Sequence, residues 1–130
     1  MLIKIELPGI FKEDERGTIY EFSTRPSSYF IVIYRKKGTV SGSHYHKGTI
    51  QSKNPEMFYL VSGEVELFVR DIKTGEEETH IIQEKTKIEV PPNIYHEWRA
   101  KTDIILLEFN TSREDFRGYE SDTIRPQEIS

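Results

Sequence analysis

The sequence breaks into short runs of alternating or aromatic-rich residues separated by turn formers, and no stretch carries a sustained helical period. Such runs lie at residues 2–7, 18–22, 29–35, 41–46, 56–61, 64–71, 79–83, 86–90, 96–100 and 103–109. This spacing is the signature of a β-sandwich or barrel. Within Glu64-Val65-Glu66-Leu67, alternation puts Val65 and Leu67 on one face. Lys87-Ile88-Glu89-Val90 does the same for Ile88 and Val90. Ser62-Gly63, Lys73-Thr74-Gly75 and Pro91-Pro92-Asn93 supply the chemistry of tight turns. A short piece within residues 112–118 is the one candidate helix, and the polar segment 119–130 is expected to wrap the surface or fray. A chain of 130 residues suits one hydrophobic core. The sequence therefore predicts a single all-β domain over residues 1–130, with its core at about 29–110 and a surface tail at 111–130.

Several classes are disfavoured. The chain has no cysteine, so disulfides and thiolate metal sites are excluded and any metal must be held by nitrogen and oxygen. The net charge is −4 with both signs interspersed, not the basic excess of a nucleic-acid binder. Residues 1–10 carry charge and a proline, unlike a signal peptide, and no apolar run is long enough to span a membrane. The expectation is a soluble cytoplasmic protein. The charged fraction of 31%, rich in Lys and Glu, would suit a thermophile.

The stretch most informative about chemistry is Gly38-Thr-Val-Ser-Gly-Ser-His44-Tyr-His46. Side chains at i and i+2 on a strand share a face, so both imidazoles aim at one point if that face is interior. Glu56 starts a later strand, and His96 follows Pro91-Pro92-Asn93. Taken singly, His-x-His suits a hydrogen-bonded surface pair, Glu56 a solvated strand end, and His96 a satisfied core histidine. Together His44, His46, Glu56 and His96 form a donor set for one divalent ion (Zn, Mn, Fe, Ni or Co), with coordination positions left open. His80 falls outside this pattern and is expected to be structural or exposed.

Those same residues resemble the cupins. Gly38, His44, His46, Glu56 and Gly63 match the first cupin motif, and Pro91 and His96 match part of the second. The resemblance implies a double-stranded β-helix, the jelly-roll barrel. Nine residues separate His46 from Glu56, a longer gap than the family usually has, and residues 47–55 are expected to form an enlarged loop at the barrel mouth. Gln51, inside this gap, is a fallback ligand or a substrate contact. Asn93 stands where the family has Gly, a substitution that still tolerates a left-handed turn, and Ala100 stands at the family's Asn.

Asp14-Glu15-Arg16-Gly17 followed by Thr18-Ile-Tyr-Glu21 is similar to the opening motif of the dTDP-4-dehydrorhamnose 3,5-epimerases. Ser41-Gly-Ser-His-Tyr-His-Lys47 resembles the corresponding run of sugar-nucleotide 3,4-ketoisomerases and of the C-terminal cupin domain of capsular-polysaccharide epimerase-reductases, with Ser41 in place of the usual Arg. Glu56-Met-Phe-Tyr-Leu-Val-Ser-Gly63 and the Asp122-Thr123 tail resemble that last group as well. The resemblance implies an isomerase acting on a nucleotide-linked 4-keto-6-deoxyhexose in surface polysaccharide biosynthesis. In the epimerase and ketoisomerase groups the first histidine is a base and no metal is needed. Glu56 and His96 instead point to the metal-binding branch, where His44 is a ligand.

On this reading the candidate proton carriers are Tyr34, Tyr95 and, less favoured, Tyr59, each of which would otherwise serve barrel packing with its hydroxyl at the rim. Tyr59 is expected to point outward by alternation from Glu56, and Glu97 is a weaker candidate. Lys47 either pairs with a nucleotide phosphate or is simply solvated. The rival functions are an iron-dependent dioxygenase and a non-catalytic sugar- or metal-binding module. Small cupins commonly pair through N-terminal strands, so the expected assembly is a homodimer, with residues 2–7 as an edge that benefits from cover.

Overall fold

The computed structural model describes residues 1–126; residues 127–130, the end of the expected tail, lie outside the described residues. The strands in chain order are β1 (Lys4–Glu6), β2 (Gly9–Asp14), β3 (Gly17–Glu21), β4 (Tyr29–Arg35), β5 (Val40–His46), β6 (Glu56–Ser62), β7 (Glu64–Asp71), β8 (Glu77–Gln83), β9 (Thr86–Val90), β10 (Ile94–Ala100) and β11 (Ile104–Asn110). A 3-10 turn, Gln51–Lys53, lies between β5 and β6. Two short helices, α1 (Arg113–Arg117) and α2 (Tyr119–Asp122), precede β12 (Thr123–Ile124). The runs expected at 29–35, 64–71 and 86–90 have those bounds, and the other expected runs differ by at most two residues at either end.

The strands form two five-stranded sheets, ordered β1-β9-β6-β11-β4 and β12-β5-β10-β7-β8. All pairings are antiparallel. From β4 to β11 the chain passes repeatedly between the sheets, which is the jelly-roll arrangement. Alternation decides what fills the space between them. On β7, Val65, Leu67 and Val69 are fully buried while their neighbours face outward. Ile104 and Leu106 do the same on β11, and Phe58 meets Trp98 across the sheets with ring centroids 4.9 Å apart.

Two elements depart from expectation. Gly9–Asp14 is a strand although it shows no clean alternation, and five of its six residues are exposed. It pairs only with β3, making a separate two-stranded hairpin whose turn is tied by Arg16 to Asp14. Residues 111–126 do not fray. Ser112 caps α1 by accepting from the Asp115 N–H at 3.0 Å. The Asp115 carboxylate accepts the Gln51 and Ser52 N–H groups, and the fully buried Asp122 accepts those of Gly48 and Thr49. The segment is a strap across loop 47–55, held by backbone donors that would otherwise be unpaired. No helix among the described residues is long and apolar enough to cross a membrane.

The motif glycine Gly63 has a steric reason. It makes the crossing from β6 in one sheet to β7 in the other, with φ at +93°. A Cβ there would collide with the Asp103 carbonyl and lie 2.7 Å from Thr102 Oγ1 and 2.8 Å from Ile104 Cγ2. Left-handed strain and overpacking together should make Gly63→Ala destabilising by about 2–4 kcal/mol. Urea denaturation with an unchanged midpoint would refute this account of the corner.

Candidate functional site

Between the sheets lies a cavity with an empty volume of about 740 Å³, its open mouth included. One sheet contributes Ile31, Ile33 and Arg35 from β4, Glu56 and Phe58 from β6, and Ile104, Leu106 and Glu108 from β11. The other contributes Ser41, Gly42, His44 and His46 from β5 and His96 and Trp98 from β10. Lys53 and the strap residues Phe116 and Tyr119 complete the lining.

The three predicted histidines come together. Their ligating nitrogens all lie within 4.8 Å of one another. Between β5 and β10 the register shifts beside Gly42, whose φ of +86° and missing side chain let it pack against His96; a Cβ there would sit 2.9 Å from the His96 carbonyl oxygen. Glu56, 2% exposed, joins the group through two of the rings: its Oε1 is 3.2 Å from both His46 Nε2 and His96 Nε2.

The hydrogen bonds behind the rings decide what those nitrogens offer. His96 donates its Nδ1–H to the Ile94 carbonyl at 3.0 Å. The Thr123 hydroxyl donates to the Tyr119 carbonyl and therefore accepts from His46 Nδ1–H at 3.1 Å. When such a ring is neutral, its Nε2 presents a lone pair to the cavity. His46 Nε2 and Glu56 Oε1 are both buried and have no hydrogen-bond partner, despite lying 3.2 Å apart. Two acceptors facing one another need a cation or a proton between them. Burial, reinforced by His96 and His46, pushes His44 down to about 3. Burial also lowers His96. Three imidazole nitrogens with one carboxylate fit a divalent ion.

The other Glu56 oxygen is held by a residue that the sequence did not single out. Lys53 Nζ, on a side chain 4% exposed, lies 3.0 Å from Glu56 Oε2 and 3.1 Å from Glu108 Oε2. Burial alone would raise Glu56, but Lys53, His96 and His46 more than offset it and hold the carboxyl well below its ordinary value. Glu108 moves the opposite way. Burial and the Glu56 charge raise it, against the pull of Lys53. Loop 47–55 is therefore not only an enlarged loop at the mouth, because its 3-10 turn sends Lys53 inward. Arg25 pins this turn through the carbonyls of Ser52, Pro55 and Phe109.

Four other predicted site residues lie elsewhere. Tyr34 alternates with the cavity-facing Ile33 and Arg35, so it points outward, is 54% exposed and meets Asp103. Tyr95 precedes the inward His96 and lies on the opposite face of β10, where it donates to Glu97 Oε1 at 2.6 Å and packs on Phe68. Lys47 is exposed beyond the end of β5 and does not line the cavity. Gln51 is exposed on the outer side of the 3-10 turn. Tyr59 faces outward as alternation predicts and stacks on Phe22, and His80 pairs with Glu78. Glu108 could have been found from sequence, because it continues the phase of Ile104 and Leu106 on β11. Lys53 carries no such signal.

A jelly-roll barrel with histidines converging inside it is the cupin fold. The chain belongs to the polysaccharide biosynthesis C-terminal domain family, whose model matches residues 12–124. No curated protein matches it in sequence. Among solved structures it is similar to a 3,4-ketoisomerase from Helicobacter canadensis, with 19% identity, a TM-score of 0.75, and coverage of 97% of this chain and 92% of that one. The sugar 3,4-ketoisomerase of Thermoanaerobacterium thermosaccharolyticum, solved with TDP, gives 17%, 0.74, 97% and 89%. The dTDP-4-dehydrorhamnose 3,5-epimerase of Sulfolobus tokodaii gives 22%, 0.69, 86% and 71%. At these identities the likeness establishes the fold.

Lys53→Met would leave two buried carboxyl groups without their ammonium. Breaking a buried pair in this way costs about 3–5 kcal/mol. Urea denaturation at neutral pH should show a loss of that size. The loss should shrink as pH falls, because burial without Lys53 raises both carboxyls and protonation removes the stranded charge. A deficit that is the same at all pH values would contradict the charge argument.

Proposed function

We propose that the chain is an isomerase of nucleotide-linked 4-keto-6-deoxyhexoses, with one divalent ion held by His44, His46, His96 and Glu56. The observation that carries the ion is the convergence of imidazole lone pairs on a buried carboxylate oxygen with no donor between them. The family match and the sugar-nucleotide enzymes among the similar folds support the substrate class. A bound divalent ion would supply Lewis acidity to the sugar's carbonyl oxygen.

The chain's own residues supply the rest of the site. Ile31, Ile33, Ile104 and Leu106 give the cavity apolar walls that keep water from the reacting carbons. Arg35 is an exposed residue of the cavity lining, on β4 of the sheet opposite Ser41, with no ion-pair partner among the described residues. Its guanidinium replaces Lys47 as the proposed contact for the nucleotide's phosphates.

Incubation with dTDP-4-keto-6-deoxyglucose in D₂O, followed by NMR, should show deuterium entering the sugar next to the carbonyl. Chelation should stop the exchange and added divalent metal should restore it. Exchange that persists at full rate in metal-stripped protein would remove the ion from the proposal. Saturable binding without exchange on any 4-keto sugar nucleotide would leave a binding module, and oxygen consumption dependent on iron would indicate a dioxygenase.

The proposed partner is a second copy of the chain. Among the described residues the β2–β3 hairpin pairs with no other strand, and an isolated hairpin is marginal in water. Ile10, Phe11, Ile19 and Tyr20 on it are 41–66% exposed, and the edge strand β4 exposes Phe30, Val32 and Tyr34. Hairpin on edge strand, exchanged by a two-fold axis, would cover both surfaces. Sedimentation at micromolar concentration should give a dimer, and Phe11→Asp should shift it toward monomer. A wild-type monomer would refute the arrangement.

A further inference from the structure

We infer that Glu108 is the catalytic base that takes a proton from the sugar carbon beside the carbonyl and returns it to the neighbouring carbon. The inference rests on the sugar-isomerase reading above. If His44, His46, His96 and Glu56 hold the ion, their lone pairs are committed and cannot also carry a proton. The ionisable side chains that remain in the cavity lining are Arg35, Lys53, Glu108 and Tyr119. A guanidinium does not give up its proton. Lys53 is bound by two carboxylates. The Tyr119 hydroxyl is engaged by the exposed Glu120.

Glu108 meets the requirements of a base. It is 5% exposed, lies in phase with the apolar wall residues of β11, and is held from one side through Oε2 by Lys53. Burial increases its affinity for a proton, the direction a carboxylate base needs. A single base also limits the reaction. Glu108 removes the C3 proton, and the C–H electron pair forms the C3–C4 double bond as charge passes to the C4 oxygen. The C3 hydroxyl proton moves to that oxygen. Glu108 then returns its proton to C4, which leaves a ketone at C3. Every proton and electron pair is accounted for with one carboxylate on one face of the ring. Epimerisation would need a second proton donor on the opposite face; Tyr34 and Tyr95 point outward, and the hydroxyl of Tyr119 in the lining is engaged by Glu120. The inference therefore selects ketone migration from C4 to C3.

The test is conversion of dTDP-4-keto-6-deoxyglucose to its 3-keto isomer, followed by NMR with the full chain. Wild type should convert it. Glu108→Gln should lose about 10²–10⁴-fold in rate, the usual worth of a general base, while TDP affinity stays within about twofold. Glu108→Asp keeps the charge beside Lys53 and withdraws it by one methylene, so a folded variant should lose about 10²-fold. If both variants fold and convert at the wild-type rate, Glu108 is not the base and the sugar-isomerase reading survives. If Glu108→Gln fails to fold, Glu108→Asp decides alone, and a wild-type rate there overturns the inference. If wild type gives no isomer, the reading beneath it fails first and the inference falls with it.

Discussion

Lys53 placed between Glu56 and Glu108 is the arrangement on which the interior of this barrel depends. An ion brought into a protein interior costs several kcal/mol after relaxation, and here two buried carboxyl groups share one buried ammonium, 3.0 and 3.1 Å from it. One ammonium cannot compensate two carboxylates equally. Glu56, which also faces two imidazoles, stays ionised. Glu108, with fewer partners, is the one driven toward its protonated form. The asymmetry follows from position along two neighbouring strands: Glu108 pairs in register with Phe58, two residues from Glu56.

The backbone that delivers these groups is unusually committed to one region. Loop 47–55 is held from outside by Asp122 at its start and Asp115 at its middle, and from the other side by Arg25. Each anchor satisfies backbone donors or acceptors that have no strand partner. Thr123 extends the same strap to the Nδ1 of His46 and so fixes which nitrogen of that ring faces inward. The cavity chemistry and the C-terminal strap are thus one structural unit, although they are far apart in sequence.

Much of the fold was legible because side chains alternate along β-strands. Val65 with Leu67, and Ile88 with Val90, declared their buried faces, and the i, i+2 spacing of His44 and His46 put both rings inside. The same rule argues against Tyr34 and Tyr95, since each sits one residue out of phase with an inward neighbour, Ile33 and His96. β2 was missed because Gly-Ile-Phe-Lys-Glu-Asp does not alternate and buries almost nothing. Lys53 was not legible at all. A lysine in a polar loop is ordinarily solvated, and only the tertiary pairing with two carboxylates, themselves on different strands, draws it inside.

The two sheets divide the chemistry between them. β5 and β10 bring three imidazoles, while β6 and β11 bring the two carboxyl groups. Only Glu56 reaches across to the imidazoles, and Lys53 holds its second oxygen away from them. Glu56 is thereby limited to presenting one oxygen toward the histidines, so any cation there would keep coordination positions free on the cavity side. Glu108 is kept apart from the histidines by the same ammonium. A residue that merely neutralised charge could sit anywhere near the two acids. Lys53 sits where it also links the acid that faces the histidines to one that does not, so two carboxyl groups with different surroundings share a single small cavity.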